Sequence, residues 1–320
     1  PYRSSKSKLV QKLFKELSIK IKKKIKPSKI LEIGSNDGAF ALNFKREIIT
    51  CVEPCRDVAI EAKKKGLKVY IKYFDDKLTK LLIKKHQKFD LIFSANTITH
   101  ISNYNLIFAN LSKILSDNGV IIIEEPSLLE TIKNNAYDQF YNEHIYVFST
   151  IALNNILKNN DLEVYDVENL KVHGGSNRYY IKKKKNKTFK ISKRFQNNLK
   201  KEFNFGLNKL SSYVKFSKKI KESKIKLVKI FNDLKKKNKK IIGYGASAKA
   251  VTIINYCNLK EDYFEYFFDT TKQKINKLLP GTKIKVKKYK KLKDVKKYVF
   301  LGAWNFYNEI VKKEDYFFHG

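Results

Sequence analysis

KILEIGSNDG (residues 29–38) joins a short apolar run to a turn with a glycine at each end. Such a run makes a buried strand, and such a turn delivers the chain into a helix N-terminus with its backbone open to a ligand. The pattern then repeats. EIITCVEP, LKVYIKY, FDLIFSAN and GVIIIEEPS are further apolar runs, separated by the amphipathic segments FALNFKRE, RDVAIEAKKKG, KLTKLLIKKH and NLIFANLSKILSDNG. Strands alternating with helices of this kind predict an α/β fold with a parallel, doubly wound sheet.

IALNNILKNNDLEVYDVENL and GGSNRYYIKKKK add a helix and two strands separated by a glycine pair. A seven-stranded sheet ending in such a hairpin matches the Rossmann-like architecture of class I methyltransferases. Residues 192–238 are Lys-rich and lack proline, which predicts helix with a solvated charged face. At Lys240 the strand-turn-helix pattern restarts with KIIGYGASAKAVTIINYC, and DYFEYFFDTT, TKIKVKKY and KYVFLGAW complete a second, smaller Rossmann-like unit.

A chain of 320 residues is long enough for two domains. No apolar run approaches the roughly 18–20 residues of a membrane span, and the start lacks a signal-peptide h-region, so the expected location is cytoplasmic. The net charge of +37 would attract polyanions, yet only five of the 68 basic residues are arginine, the residue that nucleic-acid readers favour. Lysine here travels with Ile, Asn, Phe and Tyr, as A+T-rich codons dictate, so nucleic acid is not the expected partner. Cys51, Cys55 and Cys257 make neither a disulfide framework nor a structural zinc set, and no metal site is expected. No methionine occurs, even at position 1, which suggests a fragment.

The loop reads Glu32-x-Gly34-x-Asn36-x-Gly38, and Glu53 closes the next strand where an acid would accept hydrogen bonds from a ribose diol. NAD and S-adenosylmethionine both need that acid. A pyrophosphate wants Gly-x-Gly-x-x-Gly, whereas the polar Asn36 and Asp37 suit a ligand carrying an ammonium and a carboxylate, which points to S-adenosylmethionine. Asn96, ending the fourth strand, should border the same crevice.

EEPSLLETIKNNAYDQFYNEHIYVFS leaves the fifth strand at the ligand-binding edge of the sheet. His144 is a candidate general base, Tyr141 a phenolic donor to a developing oxyanion, and Glu143 an assisting carboxylate. His100 of NTITH adds a further group to the same rim.

LEIGSNDG, VEP, ANTITH, NNAYDQFYNEHIYVFS, VHGGSNRYY, GYGASAK, INYC, PGT and AWNF, in this order, resemble the S-adenosylmethionine-dependent sugar C-methyltransferases that act on nucleotide-linked 4-keto deoxysugars. The resemblance implies a methyltransferase domain over 1–181, a Lys-rich helical connection over 182–238 and a substrate-holding Rossmann-like domain over 239–320. It implies His144 as the base at the sugar C3, with Glu143, Tyr141 and His100 nearby and Tyr2 as another substrate-side phenol. The family's N-terminal zinc module has no counterpart in this chain. In GYGASAKA the Gly243-x-Gly245-x-x-Ala248 pattern with Asp269 also permits a NAD reading, and Lys249 could meet a substrate phosphate. Two other functions stand beside the main one: methylation of RNA or another anionic substrate, and a non-catalytic scaffold that binds a partner or polyanion.

Overall fold

The computed structural model describes residues 3–172, 174–292 and 298–314. The chain divides into two compact units, the first made of Pro1–Leu129, Ile145–Lys171 and Gly175–Asn208. It holds seven strands: β1 (Ile30–Ile33), β2 (Ile49–Val52), β3 (Lys68–Tyr70), β4 (Phe89–Ala95), β5 (Leu115–Pro126), β6 (Leu162–Leu170) and β7 (Ser176–Lys183). Their order is β3-β2-β1-β4-β5-β7-β6; β7 runs antiparallel to β5 and β6, and the other pairs are parallel. The α/β class and the closing hairpin thus stand as the sequence predicts. The glycine pair turns that hairpin, with Gly174 at φ +87° and Gly175 at φ +112°. Strand β7 slots between β5 and β6 and is buried throughout.

Helix Lys8–Lys24 is capped by Ser7, whose hydroxyl accepts from the Val10 N–H. It buries Phe14, Leu17 and Ile21, spaced by three and four residues. Phe14 lies edge-on to Phe40 and Phe93, which stack on each other at 3.7 Å behind the glycine loop.

Two local expectations are corrected. FALNFKRE forms only the 3-10 turn Ala41–Asn43, because the Asn43 amide donates to the Ala39 and Phe40 carbonyls, both at 3.0 Å, and so competes with helix extension. The helix Tyr104–Ile114 stops before SDNG, which belongs to β5.

The second unit comprises Glu130–His144, Val172–Gly174 and Lys209–Gly320. Strands β8 (Ile241–Tyr244), β9 (Phe264–Asp269), β10 (Val286–Lys288) and β11 (Tyr298–Leu301) form a parallel sheet in the order β10-β9-β8-β11. Phe231, Ile241, Phe264 and Phe267 lie in its core. The Lys-rich stretch is shared between the units: helix Lys193–Phe205 ends at the left-handed Gly206, and helix Leu210–Lys236 follows in the second unit. Among the described residues no helix is long and apolar enough to cross a membrane.

Candidate active site

In the first unit, β1 delivers Glu32 and then the loop, where Gly34, Asn36 and Gly38 all adopt positive φ. Gly34 must be glycine for a second reason: a Cβ there would lie 2.0 Å from Thr97 Oγ1. Glu53 directly follows β2 and is 7% exposed. One of its oxygens accepts from the Asn36 N–H and the other from the Cys55 N–H, both at 2.8 Å. Burial raises its pKa against those two bonds. Each carboxylate oxygen keeps a lone pair for a diol. Glu32 is fully enclosed, its carboxyl is held well above the usual range by burial, and its Oε2 lacks a hydrogen-bond partner. A buried acid with an orphan oxygen suits an incoming ammonium, which would restore its charge. The loop, Glu32 and Glu53 therefore fit S-adenosylmethionine.

The structure also brings to this loop residues that the sequence did not single out. Arg3 forks onto Glu61 at 2.6 to 2.9 Å, the Ser4 N–H donates to Asn36 Oδ1 at 3.0 Å, and Ser5 donates from both N–H and hydroxyl to Asp37. The Asn36 and Asp37 side chains thus anchor the Ser4–Ser5 segment to the loop. Tyr2 lies outside the described residues.

Asn96 takes the left-handed conformation at φ +50° just past β4, and its N–H donates to the Glu124 carbonyl. The next turn, Ile98–His100, leaves His100 exposed. Glu125 holds this turn: its Oε1 accepts the N–H groups of Thr97 (3.2 Å) and Ile98 (2.8 Å). It is wholly buried, and burial pushes its carboxyl up to about 8. Its neighbour Glu124 pairs with buried Arg178 at 2.6 Å, and Arg178 reaches Glu168 at 2.7 Å. The signal for both acids was present in VIIIEEPS, where two carboxylates end an uninterrupted apolar strand.

Tyr141, Glu143 and His144 fall in the second unit. They form a turn rather than part of a helix, closed by the His144 N–H donating to the Tyr141 carbonyl at 2.8 Å. A turn brings its first and last residues together and turns its middle outward. Accordingly the Tyr141 and His144 rings lie 3.8 Å apart, with the Tyr141 hydroxyl 2.5 Å from His144 Nε2, while Glu143 is exposed. His144 Nδ1 lies 2.9 Å from the Gln139 carbonyl, which can only accept. Nδ1 therefore carries a proton, and in the neutral form of the ring the lone pair lies on Nε2, facing the Tyr141 hydroxyl.

The Lys249 ammonium sits 4.9 Å over the Trp304 ring, and burial lowers its pKa. The neighbouring glycine loop is filled by its own chain. A Cβ at Gly245 would meet Ala303 at 2.8 Å, and Asp269 already accepts from the Ala246 N–H, the Thr271 N–H and Lys274. These contacts account for the glycine spacing without a dinucleotide.

Residues 2–167 match a family model described as a methyltransferase domain, and residues 171–320 match one described as a C-methyltransferase C-terminal domain. The C-methyltransferase NovU of Streptomyces niveus is 26% identical over 291 residues, covering 90% of this chain and 69% of that protein. Among solved structures, an S-adenosylmethionine-dependent methyltransferase from Clostridium acetobutylicum is 16% identical with a TM-score of 0.43, covering 54% of this chain and 91% of that one. A magnesium protoporphyrin IX methyltransferase from Synechocystis is 12% identical with a TM-score of 0.42, covering 53% and 82%.

Proposed function

The chain belongs to the C-methyltransferase family, and on that premise we propose that this S-adenosylmethionine-dependent enzyme methylates C3 of a nucleotide-linked 4-keto deoxysugar. The observation that carries the reading is the Tyr141–His144 pair, with Nδ1 turned to the Gln139 carbonyl and Nε2 left as the basic nitrogen.

When bound, S-adenosylmethionine would supply an electrophilic methyl group. Glu53 would hold the ribose diol, Glu32 the ammonium, and the Gly34 and Gly38 turns would let backbone close on the ligand, with Asn96 at its border. A 4-keto group acidifies the neighbouring C–H. The Tyr141–His144 pair takes up that proton and ends with an imidazolium, whose Nδ1–H stays with the Gln139 carbonyl. Glu143, at the outer corner of the turn, offers an acceptor to sugar hydroxyls, and His100 a donor; Tyr2 completes the set of substrate-side groups. Lys249 is not assigned to the nucleotide.

The test is proton exchange at C3 of candidate nucleotide-linked 4-keto sugars in D2O. His144→Ala should slow it at least about 100-fold, as loss of a general base does. S-adenosylhomocysteine binding, measured by calorimetry, should survive that change and weaken about 10-fold or more in Glu53→Ala, which removes hydrogen bonds to a charged group. Unchanged exchange in His144→Ala removes the base assignment, and absence of binding in the wild type removes the cofactor site.

A further inference from the structure

The imidazole of His144 is held by the backbone of a short turn, and that turn is in turn held by one indole. Gln139, whose carbonyl faces His144 Nδ1, ends the 3-10 turn Tyr137–Gln139. The adjacent residue, Asp138, is 2% exposed, and its Oδ2 accepts from Trp304 Nε1 at 2.5 Å. Trp304 opens the turn that follows β11 and lies in the same unit. Its position is fixed from two sides: Lys249 sits 4.9 Å over the ring, and Gly174 comes so near that a Cβ there would lie 2.7 Å from Cη2. A fully enclosed carboxylate needs its donor, because leaving it unpaired is costly. The indole N–H therefore fixes where Asp138 sits, and with it the direction of the Gln139 carbonyl one residue later.

We infer that Trp304 is a positioning residue for the base: through Asp138 it aims the Gln139 carbonyl at His144 Nδ1 and so keeps the basic lone pair on Nε2. This rests on the reading of His144 as the base. Trp304 and His144 are separated by most of the second unit's sequence. Gly174 takes its place in the same account, since a side chain there would displace the indole.

The experiment uses the full chain with its histidines labelled with 15N in the imidazole ring; His144→Gln identifies the His144 signals among the five histidines. In the wild type without ligand, His144 should show the Nδ1–H tautomer. Trp304→Phe keeps an aromatic ring and removes the donor, and it should lose that preference. Asp138→Asn keeps an acceptor for the indole and should retain it. In the exchange assay Trp304→Phe should lower kcat about 10- to 100-fold with KM and S-adenosylhomocysteine affinity unchanged, the signature of misplaced rather than missing chemistry. Wild-type tautomer signals in Trp304→Phe, or a loss of activity that merely tracks a fall in folded fraction, would overturn the inference. If His144→Ala exchanges normally, the base reading fails instead, whatever the tautomer shows.

Discussion

Gly34→Ala perturbs the cofactor loop at a single atom, and the surroundings of that atom set its cost. The residue sits at φ +72°, where a Cβ costs about 1–2 kcal/mol through its clash with the backbone. The added carbon would also lie 2.0 Å from Thr97 Oγ1, 2.7 Å from Cγ2 and 2.8 Å from Cβ. Thr97 has little room to yield, since its hydroxyl donates to the Ala95 carbonyl at 3.1 Å and its N–H to Glu125 at 3.2 Å. Overpacking of this kind adds about 1–3 kcal/mol. The variant should thus lose about 2–5 kcal/mol in urea unfolding, the sum of these two costs. Thr97→Ala removes Oγ1 and Cγ2 but leaves the dihedral strain, so the double variant should recover part of the loss, with a coupling of about 1–2 kcal/mol. A destabilisation below about 0.5 kcal/mol, the range of neutral surface changes, or a strictly additive double variant would refute the steric argument.

Glu125 supplies a pH test. Its folded-state value of about 8 lies above the ordinary 4.5, so the folded protein binds this proton more tightly than the unfolded chain and loses stability as pH rises through that window. Glu125→Gln keeps an acceptor for the Thr97 and Ile98 N–H groups and cannot ionise; its Tm should lack this decline, and equal pH slopes in the two proteins would contradict the burial argument. Arg178→Met should cost about 3–5 kcal/mol, because it strands the buried Glu124 carboxylate without its cation, while Glu168 keeps Lys20 and Arg194. Adding Glu124→Gln should return part of that loss, and a failure to do so would mean that the pair is not what Arg178 serves.

The fold was legible in the sequence because it depends on period and punctuation. Apolar runs separated by amphipathic segments and the glycine pair before β7 specify the order of layers, and these signals are local. FALNFKRE misled because its periodicity favours helix while one amide, that of Asn43, turns back on the chain. In the site, Glu32, Gly34 and Glu53 stood out in the sequence because they lie in or just after the first two strands. For Glu125 and Arg178 the sequence shows the residues but not the partners: Glu125 holds the turn after β4, and only the register of β5 on β7 sets Glu124 opposite Arg178. The Tyr141–His144 contact lay between: the two residue types were visible, but only the turn tells that Glu143 points away from them. Asn36 and Asp37 were read as ligand-facing groups, and no pattern near them announces that Ser4 and Ser5 donate to their side chains.

The piece of chain bearing Tyr141 and His144 folds with the later unit although strands of the earlier one lie before and after it in sequence. Recombination between relatives at a single crossover after Asn208 would therefore graft a foreign β8–β11 layer onto the original imidazole, leaving Trp304 and Asp138 drawn from different ancestors. Chimeras that carry residues 130–144 together with the C-terminal half should keep both members of that hydrogen bond in one inheritance, so the workable seams for exchanging halves are set by the path of the backbone and not by the boundary a sequence alignment suggests.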